Sequence, residues 1–148
     1  MNRIRLAACL LPSLLLATPA FAHGASCATP FQTAGSVLLK PGYSGVVGEF
    51  AVPTGYRLQI EYVSAGVRLG TADGRAAFSI ATTAGGTSAW HPLPIQAGYT
   101  VVDRQTSGEV ALYADARSLV KIEVDRGTDT AQETTGRYAV TGCLYPAK

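Results

Sequence analysis

The sequence is short of the residues that most directly announce a chemistry. Its 148 residues include two histidines, His23 and His91, one tryptophan, one methionine and three cysteines. The lysines, Lys40, Lys121 and Lys148, are scattered. With no basic stripe to hold phosphates, no nucleic-acid partner is expected. There is no C-x-x-C pair and no cluster of soft ligands around a cysteine, which argues against a thiol redox pair and a structural zinc site. No G-x-S-x-G elbow is present, because Gly42-Tyr43-Ser44-Gly45 lacks the spacing. No glycine-rich loop follows a strand and opens a helix, so a phosphate cradle is also missing. A general base could come only from His91 or from carboxylates that meet in space, and Glu61, on the polar face of a strand, reads as a solvated or ion-paired side chain. These absences favour a protein that is not an enzyme and needs no cofactor.

Long apolar runs are also lacking, apart from Leu6 to Leu16 at the start of the chain. That run follows Arg3 and Arg5 and precedes Ala20-Phe21-Ala22, the order of an export signal with its small-residue cleavage site. Residues 1–22 are therefore expected to be a signal peptide, and residues 23–148 one exported domain, periplasmic or extracellular. Cys9 lies inside the apolar run rather than after it, which argues against lipid attachment there. The formal charge of +2 loses its excess when Arg3 and Arg5 leave. No membrane span is expected after processing, since no other stretch approaches the roughly 18 apolar residues a spanning helix needs.

What the chain does have is punctuation. Sixteen glycines and eight prolines break it into short segments with period-two patterns, which reads as all-β. The clearest is Tyr56 to Val63, where Tyr56, Leu58, Ile60 and Tyr62 alternate with Arg57, Gln59 and Glu61, extending through a bend at Gly66 to Leu69. Other strands are expected at Ser36 to Leu39, Val46 to Val52, Arg75 to Thr82, Ser88 to Leu93, Tyr99 to Gln105, Val110 to Tyr113, Leu119 to Val124 and Tyr138 to Tyr145. Pro92 and Pro94 confine the Ser88 segment to an edge. Eight or nine short strands predict an antiparallel β-sandwich or jelly roll, with a closed barrel as the nearest alternative. The expected core joins Leu58, Ile60 and Tyr62 to Phe78, Ile80, Val120 and Ile122. Asp125 to Gly136 reads as a mobile hairpin loop. Its Asp125, Asp129 and Glu133 recur every four residues and raise the possibility of calcium, although the spacing is not that of an EF-hand and Arg126 and Arg137 are close by.

Cys27 and Cys143 are the two cysteines beyond the leader. In an exported chain they are expected to pair, closing nearly the whole domain. A fimbrial subunit, completed by a neighbour's strand, would also be exported with one disulfide. Such cysteines typically lie a few tens of residues apart, however, and the strand count here suffices to complete the fold.

The segment Val52-Pro53-Thr54-Gly55-Tyr56-Arg57-Leu58-Gln59-Ile60-Glu61-Tyr62-Val63-Ser64-Ala65, with Leu112-Tyr113-Ala114-Asp115 and Val140-Thr141-Gly142-Cys143-Leu144, resembles small exported bacterial β-sandwich proteins of uncharacterised type. The resemblance implies the fold and assigns no catalytic residue. Separately, Ala20-Phe21-Ala22 followed by His23-Gly24 is similar to the processing site of histidine-brace copper proteins. That resemblance implies a Cu(II) site made from the amine and imidazole of His23, with His91 as the third nitrogen.

The remaining binding candidate is Trp90-His91-Pro92. A single tryptophan more often plugs one end of a core, and Trp90 is expected to do so. Exposed, it would instead stack on a sugar or anchor a protein partner, with Tyr43 and Tyr99 enlarging the patch. Taken together, these residues point to an exported binding or structural module, with a copper-binding protein as the alternative.

Overall fold

The computed structural model describes residues 27–147. The expected signal peptide and His23 lie outside them. The described chain forms nine strands: β1 (Thr29–Leu39), β2 (Gly45–Ala51), β3 (Tyr56–Arg68), β4 (Ala77–Ala84), β5 (Thr87–Leu93), β6 (Gln96–Ala97), β7 (Asp103–Ala114), β8 (Leu119–Asp125) and β9 (Thr134–Pro146). A five-stranded sheet in the order β1-β9-β3-β7-β6 packs on a four-stranded sheet in the order β2-β8-β4-β5. All pairings are antiparallel. β1 packs over β2 and β7 over β4, so the sheets are stacked in an aligned sandwich. The disulfide joins Cys27 to Cys143 with 5.5 Å between their Cα atoms, tying the start of the domain to its last strand. Disulfides of this kind form and persist chiefly in oxidising compartments.

Alternation drives the packing. Leu58 and Ile60 of β3, Phe78 and Ile80 of β4, and Val120, Ile122 and Val124 of β8 all turn inward into one core. Each such side chain contributes about 1.5–3 kcal/mol through burial. Tyr62 departs from the expected pattern. It is 40% exposed, and the buried residues after it are Val63, Ala65 and Val67. The register of β3 against both neighbours shifts between Ile60 and Tyr62, where Glu61 is the extra residue against β9. This bulge reverses the parity of the strand, so Tyr62 belongs to the outer face. The expected bend at Gly66 is not a break, because the ladders run through it.

Two further departures have local causes. The expected strands Tyr99 to Gln105 and Val110 to Tyr113 are one long strand, β7, preceded by a turn. Asp103 builds that turn by accepting hydrogen bonds from the Thr100 amide at 3.0 Å and the Thr100 hydroxyl at 2.8 Å. The segment Asp125 to Gly136 is also not a free hairpin, since it crosses from one sheet to the other. Arg126, 2% exposed, stands at its centre. It donates from Nε to the Tyr43 carbonyl at 2.9 Å, from Nη2 to the Lys40 carbonyl at 2.6 Å, and from Nη1 to the Gln132 carbonyl. One guanidinium thus satisfies three carbonyls of two connecting segments, which an apolar side chain would leave unpaired.

At the β1–β2 side of the core the ring of Tyr138 fills the inter-sheet space. A Cβ at Gly35 would come within 2.5 Å of its hydroxyl oxygen, and one at Gly48 would collide with its ring carbons. Both glycines are therefore spaces reserved for an aromatic ring.

Candidate functional site

Among the described residues, the aromatic side chains singled out from the sequence lie on different elements. Trp90 is 51% exposed rather than in the core. It pairs with Ala81, whose other neighbour is Lys121, on the outer face of the four-stranded sheet. Its position on β5, an edge strand with the core on the opposite face, leaves no interior to plug. Polar groups on that face satisfy one another: Ser79 donates to Glu123 at 2.7 Å, and the hydroxyls of Thr83 and Ser88 are 2.5 Å apart. Tyr43 lies in the turn from β1 to β2. Tyr99, 99% exposed, lies in the turn from β6 to β7. β1 and β6 are the two opposite edges of the five-stranded sheet, so Tyr43 and Tyr99 are not brought into one patch.

His91 pairs with Ile80 on β5, the edge farthest from β2. Cys27 is held at β9, near the side where β1 packs over β2. Two strand spacings and one inter-sheet gap separate β9 from β5, about 14 Å before any offset along the strands. Four residues from Cys27 back to position 23 reach about 14 Å when fully extended. Among the described residues, no group of three or more His, Cys, Asp or Glu is placed to hold a metal ion. Two of the three loop carboxylates have protein partners instead. Asp129 accepts from the Gly70 amide at 2.6 Å and the Thr71 amide at 3.1 Å, and Asp125 accepts from the Gly127 amide at 2.5 Å. The buried Arg126 cation stands among them.

The outer face of the five-stranded sheet carries a feature absent from the sequence reading. Register places Ala34, Ala139, Ser64 and Ser107 side by side across β1, β9, β3 and β7. These short side chains form the floor of a trough perpendicular to the strands. One rung away, Gln32, Thr141, Tyr62 and Glu109 form one wall. On the other side Ser36, Arg137 and Gln105 form the second, which is interrupted at Gly66 between Arg137 and Gln105. An open hollow of about 350 Å³ lies over Ser64, Gly66, Gln105, Ser107, Arg137 and Ala139.

Gly66 matters most here. Its φ is not among the positive values found at the turn glycines. An added Cβ would meet only ordinary contacts, 3.5 Å from the Arg104 carbonyl oxygen and 3.7 Å from the Gln105 Cβ. Neither backbone conformation nor crowding demands glycine in this strand interior, where it is unfavourable. What its lack of a side chain does is keep the hollow open. The bulge at Glu61 contributes too, because it turns the Tyr62 ring onto this face. Among the described residues, the side chains of Arg137, Gln105 and Glu109 make no hydrogen bond or ion pair, in contrast to the mutually satisfied face around Trp90. The disulfide borders the same face, since Cys143 pairs with Gln59 and Pro30 just beyond the Tyr62 wall. On the far side of it Arg57 stacks on Tyr113 at 4.7 Å and faces Asp115 at 3.8 Å rather than Glu61.

No protein-family model and no curated protein matches the chain. Among solved structures, the chain is similar to part of dimeric latent PorU from Porphyromonas gingivalis, with 9% identity and a TM-score of 0.39. The match covers 83% of this chain and 14% of that one, so the chain spans a small fraction of that protein's length.

Proposed function

We propose that the chain is an exported, non-enzymatic binding module, acting in the periplasm or outside the cell, and that its ligand is a carbohydrate chain lying in the trough across β9, β3 and β7. The observation that carries this reading is Gly66, a strand-interior glycine that the backbone does not require and that keeps open a 350 Å³ hollow whose floor at Ser64 is one rung along β3 from the exposed Tyr62. A ring on one wall offers a flat apolar surface to the C–H face of a sugar. The free side chains of Gln105, Gln32 and Arg137 supply donors and acceptors for hydroxyl groups. An extended peptide is recognised mainly through main-chain hydrogen bonds at a sheet edge. β9 and β3, under the middle of the trough, are paired on both sides and give no such edge, although among the described residues β7 beyond Gln105 is unpaired on its far side. Trp90, on the opposite sheet, lies outside this site.

Arrays of soluble oligosaccharides and of extended peptides test the reading on processed protein. Oligosaccharide binding that weakens about tenfold in Tyr62→Ala and is lost in Ala139→Trp, which fills the floor, is the expected result. Binding untouched by both substitutions, or retention of peptides alone, would overturn it.

A further inference from the structure

The trough is electrically polarised along its diagonal. Arg137 stands at its β9 end, and its guanidinium has no carboxylate partner among the described residues. Arg68 lies one rung further on the same face of β3 and is unpaired in the same sense. The acid opposite Arg68 is Asp103, but its carboxylate is turned toward Thr100. Glu109 stands at the β7 end of the other wall, with Glu61 exposed in the bulge next to Tyr62. Two strand spacings and four residues of rise separate Arg137 from Glu109, about 17 Å between backbones, longer than a single sugar ring.

Resting on the carbohydrate reading above, we infer that the ligand is a glycan in which carboxylate-bearing and uncharged sugars alternate. The carboxylate meets Arg137, whose planar fork matches its two oxygens. The uncharged sugar stacks on Tyr62 beside Glu109. A uniformly acidic polymer would place a second carboxylate near Glu109, where like charges repel. A neutral polymer would leave Arg137 without a counter-charge. The polarity also fixes the direction in which the chain lies, acidic sugar toward β1 and uncharged sugar toward β7.

Calorimetric titration of the processed protein with three probes tests this: a hyaluronan hexasaccharide for the alternating pattern, hexagalacturonate for the uniformly acidic one and chitohexaose for the neutral one. The alternating probe should bind about tenfold or more tightly than either of the others, and more weakly as salt is raised. Arg137→Gln should reduce it to the level of the neutral probe. Glu109→Gln should raise affinity for hexagalacturonate. Both are exposed substitutions whose melting curves should match wild type. Equal affinity for the neutral and alternating probes, unchanged by Arg137→Gln, overturns the charge assignment and leaves the carbohydrate reading standing. If none of the three probes binds while a peptide does, the underlying reading fails as well.

Discussion

Ile60 and Tyr62 are separated by one residue on the same strand, yet Ile60 is fully buried and Tyr62 faces solvent on the opposite side of the sheet. In a regular strand they would share a face. Glu61 is the extra residue that separates them, and it places the ring of Tyr62 on the wall of the trough while returning Val63, Ala65 and Val67 to the core. Deleting Glu61 restores simple alternation but forces a choice between burying Leu58 and Ile60 or burying Val63 and Val67. The expected cost is about 3 kcal/mol or more in urea unfolding, the burial of two aliphatic side chains. A deletion variant as stable as wild type would show that the bulge is not what sets the two faces.

The end-to-end bridge is expected to matter for stability. Replacing Cys27 and Cys143 together by alanine should lower unfolding free energy by about 4 kcal/mol on the loop-entropy account of so long a closure. Denaturant melts of the variant, and of wild type with and without reductant, measure it. Coincident melts would mean that β1 is held by its pairing with β9 alone.

Arg126 gives a sharper test of a buried group. Arg126→Met keeps much of the apolar stem but strands the carbonyls of Lys40, Tyr43 and Gln132, so a loss of about 3–5 kcal/mol is expected. Arg126→Lys should recover little, because one ammonium cannot span three diverging carbonyls. Hydrogen exchange should show the 126–133 segment and the β1–β2 turn loosening together in both variants.

Gly48→Ala should cost about 1–3 kcal/mol, since the added methyl overlaps the Tyr138 ring. Relief by a smaller side chain at position 138 in the double variant, measured by the same melts, would establish that the ring is the obstacle.

These cases mark where the sequence was legible. The all-β class, the sandwich, the disulfide and most of the core followed from period-two alternation and cysteine count, as Phe78, Ile80, Val120 and Ile122 illustrate. Alternation fails where one inserted residue reverses it, and nothing in Gln59-Ile60-Glu61-Tyr62-Val63 distinguishes a bulge from a continuing strand. The gap between the expected strands Tyr99 to Gln105 and Val110 to Tyr113 falls on Thr106-Ser107-Gly108-Glu109, which lacks period-two apolar residues, but cross-strand pairing carries the strand through it. The expectation that Trp90 plugs the core rests on its being the single tryptophan, a weak guide on an edge strand. The trough was invisible for a different reason. Its floor draws one small residue from each of four strands, and only register brings Ala34, Ala139, Ser64 and Ser107 together. Its one local trace is Ser64-Ala65-Gly66 between Tyr62 and Arg68, where small residues occupy the outer positions of an otherwise well-formed strand.

The most direct measurement uses Gly66→Val. Valine fits the backbone and favours the strand, and its side chain projects into the hollow. Unfolding in urea and calorimetric titration with the oligosaccharide that binds wild type most tightly should be run on the same two proteins. The variant is predicted to be as stable as wild type or more stable by about 0.5–1 kcal/mol, and to lose oligosaccharide binding. A variant that binds as wild type does, or one that loses binding only because it unfolds, would contradict the assignment of the trough as the binding site.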